Sequence, residues 1–472
     1  MNQSDPLITL DQGSQPDNRR SSAGHSLFQL HAGQCWAVVG ATGSGKTLFL
    51  QTLAGQVPRL AGRLVRRQSV AYVSFREESR LFSYSGHFYQ QRYQATMSDE
   101  GSRGQAAPTL RDYLQLADPV AARPLLDRLG LSPLLNRTFL KLSNGQSRKA
   151  RIGKALLQQP AVLLLDNPFV GLDAGFRQEL TQWLAELTQH GLTLVLATDA
   201  DSIPLFVTHV VELGGSEIQW AGPVQAYRST ARPPQQTALP IWQTPALPAD
   251  FDEAFRLSEV TVRYGEQLIL DRVSWTVRPG ERWALLGPNG AGKSVLLSLL
   301  YGDHPQAYAS LIHVFDHRRG RPGQSIWDVK RRIGFVSPEL HLYFPQQLTA
   351  RQVVLTGLTD TLTAPRQASA EAQADLLAML RYFGLSNKAD EPFGRLSAGE
   401  QRLVLLVRAL IKNPPVLILD EPFQAIDAAR VELARRLLDS LPDKTILFVT
   451  HDRRELPDTI DRTFTIGTEA PL

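Results

Sequence analysis

The sequence predicts an α/β fold built twice: two tandem domains of one kind, each a core sheet carrying a phosphate-binding loop and an inserted helical subdomain. Three observations predict it. Two glycine-rich loops each follow a short apolar strand, each is followed by a Leu-Ser-x-Gly segment, and each segment leads to an apolar strand ending in aspartate. "KLSNGQSRKARIGKALLQQPAVLLLDNPFVGLD" (Lys141–Asp173) and "RLSAGEQRLVLLVRALIKNPPVLILDEPFQAID" (Arg395–Asp427) match almost position for position, and Ser143 to Asp166 spans the same interval as Ser397 to Asp420. Drift would not preserve both order and interval, so two copies of one fold are the economical reading.

At 472 residues the chain is too long for one core, and two domains of roughly 220 residues each accommodate it. Residues 1–224 form the first and 251–472 the second. Between them, residues 225–250 hold Pro233, Pro234, Pro240, Pro245 and Pro248 without helical periodicity, the pattern of a semi-rigid linker.

In the first half the strand Trp36–Val39 runs into Gly40, Ala41, Thr42, Gly43, Ser44, Gly45, Lys46 and Thr47. In the second, Trp283–Leu286 runs into Gly287, Pro288, Asn289, Gly290, Ala291, Gly292, Lys293 and Ser294. Glycines at these places let backbone N–H groups wrap phosphates at the N-terminus of the next helix. Lys46 and Lys293 then reach the β and γ phosphates, and Thr47 and Ser294 offer hydroxyls to magnesium. A ligand-free glycine turn would need the full pattern to recur twice by chance. The chain therefore reads as a tandem nucleotide hydrolase.

Further along the first half, Phe75–Ala107 is polar and aromatic without a period, and reads as a surface loop anchored by its own aromatics. Leu110–Leu140 and, in the second half, Ala370–Leu385 carry amphipathic helical patterns. The strands Val162–Leu165 and Val416–Leu419 then end in Asp166 and Asp420.

Composition excludes several classes. Lys+Arg 50 against Asp+Glu 46, a net charge of +4, leaves no basic excess for nucleic acid. The one cysteine, Cys35, excludes an internal disulfide and a cysteine zinc site, and reads as a packing residue before its strand. No apolar run approaches the roughly 18 residues needed to span a bilayer. The start, MNQSDPLITLDQ, has neither a basic nor a hydrophobic segment of secretory type, so the expected compartment is the cytoplasm.

The order of phosphate loop, Leu-Ser-x-Gly-[Gln/Glu] and apolar strand ending in Asp resembles the ATP-binding cassette (ABC) ATPases, over nearly the whole chain. The resemblance implies ATP and Mg²⁺ as ligands and two cassettes meeting head to tail within one chain. ATP would lie between the loop of one cassette and the signature of the other. Ser143 and Gly145, or Ser397 and Gly399, would begin a helix whose N-terminal amides meet the γ-phosphate in trans. Asp166 and Asp420 would hold the magnesium shell, and Glu421 would be the general base for the attacking water. His451, in "LFVTHD", would sense the γ-phosphate and orient Glu421, and Tyr264 would lie against adenine, with a buried structural tyrosine as the alternative.

The first half departs from this pattern in three places. Asn167 stands at the base position, where its amide holds water but takes no proton at neutral pH. Asp199 stands at the histidine position, an anion that would repel the γ-phosphate. The spacing that holds Tyr264 reaches Asp17 instead of an aromatic. With Lys46, Thr47 and Asp166 retained, the first site is expected to bind ATP as an interface brace without hydrolysing it. Both halves also lack the family's glutamine after the third strand. Phe75 and Pro338 occupy the matching positions, with Glu339 as a substitute ligand or an offset of one residue as the alternatives. Asp173 and Asp427 match the family's interface aspartates or else cap helices.

Gly287–His341 and Arg402–Ala409 most resemble tandem ATPases assigned to molybdenum transport, which implies molybdate as cargo. Three functions stay open at this stage. The chain is the energy-coupling subunit of a separate transmembrane transporter partner, held on the inner face of the membrane; or a soluble ribosome-associated cassette pair; or a slow regulatory ATP-binding module.

Overall fold

The computed structural model describes residues 5–12, 26–57, 63–75, 108–116, 119–139, 142, 144–170, 172, 174–215, 217–228, 238–264, 267–288 and 290–467. These fall into two compact units divided between Arg232 and Pro233.

The first unit runs β1 (Ile8–Gln12), β2 (Ser26–Leu30), β3 (Cys35–Val39), α1 (Lys46–Ala54), β4 (Arg63–Arg66), β5 (Val70–Ser74), α2 (Leu110–Leu114), α3 (Pro119–Arg128), α4 (Asn144–Leu156), β6 (Val162–Asp166), α5 (Ala174–Gln189), β7 (Thr193–Ala197), β8 (His209–Gly214) and β9 (Glu217–Pro223). Its main sheet has the order β5-β6-β7-β3-β8-β9, parallel except for the β8/β9 pair. Every residue of β3, β6 and β7 is buried, because central parallel strands are covered on both faces.

The second unit repeats the plan with β10 (Phe255–Tyr264), β11 (Gln267–Val277), β12 (Arg282–Leu286), α6 (Lys293–Tyr301), β13 (Ile312–Val314), β14 (His317–Arg318), α7 (Ile326–Arg332), β15 (Ile333–Val336), α8 (Ala350–Leu355), α9 (Ala370–Tyr382), α10 (Ala398–Leu410), β16 (Val416–Asp420), α11 (Ala428–Asp439), β17 (Thr445–Val449) and β18 (Arg462–Thr465). The order β15-β16-β17-β12-β18 is the first unit's order without its last strand. Each unit also carries an antiparallel sheet, β2-β1-β4 and β11-β10-β13-β14. In the second unit α8, α9 and α10 bury their apolar residues in one cluster with Phe344, Phe393 and Phe423, the core of the inserted helical subdomain. Helix α10 is buried on nearly all sides, as its sequence "LVLLVRAL" demands.

Local chemistry adjusts several expectations. Leu110–Leu140 is not one helix. A capping box at Thr109 starts α2, Gln115 ends it in the left-handed conformation, and Pro124 lies inside α3. Cys35 belongs to β3 rather than preceding it, and burial pushes its thiol up to about 12. Asp427 caps α11 by accepting the Arg430 N–H at 3.0 Å and pairs with its guanidinium. Asp173 lies outside the described residues.

Part of the proline-rich stretch is fastened to the second unit. The Gln243 and Thr244 N–H groups both donate to the buried carboxylate of Asp375 on α9, each at 2.8 Å. Asn413 Nδ2 donates to the Thr244 carbonyl at 2.9 Å, and the indole of Trp242 packs on the helical core. Asp375→Ala removes two charge-assisted hydrogen bonds and is expected to cost about 2–4 kcal/mol, read from the urea midpoint of the full chain.

Candidate nucleotide sites

Gly287 has φ 145°, and a Cβ there would stand 2.3 Å from the Ile466 carbonyl oxygen beyond β18. Gly40 repeats this, with φ 145° and the Leu213 carbonyl 2.4 Å away. Only glycine lets the loop pass that close to the neighbouring strand. Helices α1 and α6 then start at Lys46 and Lys293, turning their N-terminal amides toward the loop.

In the second unit Lys293 Nζ donates to the Gly287 and Pro288 carbonyls at 2.6 and 2.9 Å, and Ser294 Oγ donates to Asp420 Oδ2 at 2.9 Å. Asn289 lies outside the described residues. Because β17 runs between β16 and β12, the residues just past its end fall between the carboxylates and the loop. His451 Nε2 lies there, 2.6 Å from Glu421 Oε1. A carboxylate only accepts, so the imidazole N–H donates. Glu421 has φ 45°, a left-handed conformation costly for a residue with a Cβ. Its N–H is held by the Val449 carbonyl at 2.9 Å.

Burial, reinforced by the Glu421 charge, pushes the Asp420 carboxyl up to about 7 against the Ser294 hydroxyl and Lys293; Glu339 adds to the push. A hydroxyl and a carboxylate so placed fit magnesium, which takes oxygen ligands and completes its shell with water and substrate phosphates. Among the described residues no cluster of three or more His, Cys, Asp or Glu stands ready to hold a metal alone.

Tyr264, at the end of β10, packs its ring on the core, and its hydroxyl lies 2.8 Å from His304 Nε2. His304 Nδ1 accepts the Gln306 N–H at 3.1 Å, so Nε2 carries the proton and donates to the tyrosine oxygen. Burial pushes His304 down to about 4, which keeps it neutral.

The first unit keeps the frame and changes the chemistry. Lys46 Nζ donates to the Gly40 carbonyl at 2.5 Å and stands 3.8 Å from Asp199 Oδ1. Asp166 Oδ1 accepts from Thr47 Oγ1 at 3.1 Å and from Asn167 Nδ2 at 2.9 Å, while Oδ2 accepts from the Tyr72 hydroxyl at 3.2 Å. Asn167 has φ 56°, so the strained turn of Glu421 survives with an amide in place of the carboxylate. Asp17 lies outside the described residues.

Ser397 caps α10 in a capping box with Glu400, its hydroxyl accepting the Glu400 N–H at 3.3 Å, and Gly399 is buried in the first turn. Gly145 sits in the first turn of α4, where a Cβ would meet the Phe176 ring at 3.1 Å. Ser143 lies outside the described residues.

Sequence reading missed Tyr72, His304 and a matched arginine pair five residues past each signature serine. Arg402 donates to the Ser337 and Pro338 carbonyls and to Gln424. Arg148 donates to the Pro168 and Val170 carbonyls and lies 5.0 Å over the Phe75 ring. Recurrence in the two repeats was a usable signal for the arginines. Tyr72 had none, since its counterpart by strand register, beside the matching residue of β16, is Phe335.

The sequence pattern of the ABC transporter family matches residues 25–170 and 270–424. The chain is 38% identical over 451 residues to the ABC transporter ATP-binding protein ModF of Escherichia coli (strain K12), covering 91% of each chain. It is 33% identical over 466 residues to an uncharacterized ABC transporter ATP-binding protein, C323.04, of Schizosaccharomyces pombe, covering 92% of each. Its fold is similar to that of the archaeal ribosome recycling factor aABCE1, solved with the ribosomal stalk protein aP1, with a TM-score of 0.55 at 18% identity, over 93% of this chain and 84% of that one. Two matched cassettes and near full-length relatives place the chain in the ABC transporter family, as a tandem-cassette ATPase.

Proposed function

We propose that the two cassettes divide their labour: the second hydrolyses ATP, the first holds nucleotide without turning it over, and the cycle drives a separate transmembrane transporter subunit from the cytoplasmic face. The observation that carries the asymmetry is Glu421 paired with His451 in one unit against Asn167 bound to Asp166 in the other. The Glu421 carboxylate accepts the proton of the attacking water, and His451, paired with its Oε1, holds it in place. Lys293 and the first amides of α6 take the charge of the phosphates. Ser294 and Asp420 are the residues that would hold magnesium, which when bound neutralises charge on the phosphate oxygens. Signature residues Ser143 and Gly145 complete the working site in trans, Ser397 and Gly399 the quiet one, as the family resemblance implies, and Tyr264 lies against adenine.

No helix of the described residues is long and apolar enough to cross a membrane. A pull-down from detergent-solubilised membranes, with and without ATP, tests the coupling. An integral membrane protein captured in an ATP-dependent manner is the expected result and identifies the substrate pathway. Capture of soluble partners or ribosomes alone would instead put the work of the ATPase away from the membrane.

A further inference from the structure

The first site's charged groups already have partners within the site. Lys46, mostly buried, has the Asp199 carboxylate 3.8 Å from its ammonium. The matching residue of the second unit is His451, which turns to Glu421 instead. A third phosphate arriving at Lys46 would bring negative charge against Asp199, whereas the first two phosphates meet the backbone N–H groups of the loop. That loop is unchanged: Gly40, Gly43 and Gly45 have φ 145°, 82° and 94°, and Gly287, Gly290 and Gly292 have the same three values.

Asp166 is equally occupied. Both its oxygens accept hydrogen bonds, from Thr47 and Asn167 on one and from Tyr72 on the other. A metal ion would have to displace or share these donors. In the second unit the position of Asn167 is the carboxylate Glu421 and that of Tyr72 is Phe335, so the surroundings of Asp420 invite a cation where those of Asp166 do not.

We infer that the first site is a nucleoside diphosphate site that binds without a metal ion, with Asp199 standing where a third phosphate would bring its charge and Tyr72 and Asn167 taking the metal's place on Asp166. This rests on the reading above that the first site holds nucleotide, and it replaces ATP with a diphosphate as the occupant. Asp199 is the specificity determinant; Tyr72 is a positioning residue.

The test is equilibrium binding of ADP and ATP to the full chain carrying Lys293→Ala, which weakens the second loop, measured with magnesium and with EDTA. ADP is expected to bind about tenfold more tightly than ATP, and chelation to leave ADP affinity unmoved. Asp199→Asn, which keeps the side-chain shape, is expected to erase the preference. Tyr72→Phe is expected to make ADP binding respond to magnesium. ATP binding as tightly as ADP, or a ratio that Asp199→Asn leaves unmoved, overturns the diphosphate assignment. An ADP affinity that falls with EDTA before any change at Tyr72 overturns the metal-free part. Binding of neither nucleotide, or binding that Lys46→Ala leaves intact, overturns the underlying reading of a first nucleotide site along with the inference.

Discussion

Glu421→Gln is expected to lower steady-state ATP turnover by about 10²–10⁴-fold, while Asn167→Gln leaves it unchanged. The amide keeps the size and shape of the carboxylate but cannot take a proton from water at neutral pH. Its carbonyl oxygen still accepts from His451 Nε2, which stands 2.6 Å from Glu421 Oε1, so the pairing survives while the base is lost. The left-handed backbone, φ 45° at Glu421, is no harder for glutamine than for glutamate, so the variant folds and binds nucleotide. Asn167 has no base to lose, and its amide already donates to Asp166 at 2.9 Å. Phosphate release measured beside nucleotide binding separates lost chemistry from lost folding. Comparable losses in the two variants would sink the division of labour between the cassettes.

Asp420→Asn is expected to stabilise the ligand-free chain at alkaline pH while abolishing turnover. Burial and the neighbouring Glu421 charge raise the carboxyl from 3.8 to about 7 in the folded state. Between these values the native protein holds more protons than the unfolded chain, so stability falls as pH rises through the window. Above about pH 7 the buried carboxylate is charged, and the neutral asparagine should then be favoured by about 2–4 kcal/mol. Magnesium nucleotide selects the deprotonated form, so its stabilisation of the parent should grow from pH 6 to pH 8, and that growth should vanish in the variant. Thermal unfolding of parent and variant across that range, with and without magnesium nucleotide, measures both effects. Equal pH slopes for the two proteins would mean that Asp420 is not the group that titrates.

Much of the site was legible because it is local. The loop glycines answer to a backbone path that a Cβ would block, as at Gly287 and Gly40, and that requirement is written at single positions. Ser294, Asp420, Glu421 and His451 occur at fixed places within short motifs, and the asparagine at 167 in place of a glutamate is an identity change readable without coordinates. Duplication added a control: with two copies in one chain, each departure in the first half stands against a reference in the second.

The helical middle of the first half was less legible, since periodicity reports which face is buried and not where the backbone breaks. Gln115 and the turn at Ser132–Leu134 divide it into short helices. The proline-rich stretch read as a semi-rigid linker because composition describes stiffness; where it attaches depends on Asp375, more than a hundred residues away.

By itself the sequence determined the family, the two-fold repeat, the phosphate loops and which cassette keeps a glutamate, Glu421, after its strand-end aspartate. Tertiary structure alone decided which groups meet: Asp199 stands 3.8 Å from Lys46, the Tyr72 hydroxyl donates to Asp166, and in the second unit His304 pairs with Tyr264. The reason is geometric. Parallel strands bring the ends of β3, β5, β6 and β7 to one edge of a sheet although they are far apart in the chain, and a hydrogen bond or ion pair exists only once that edge is assembled.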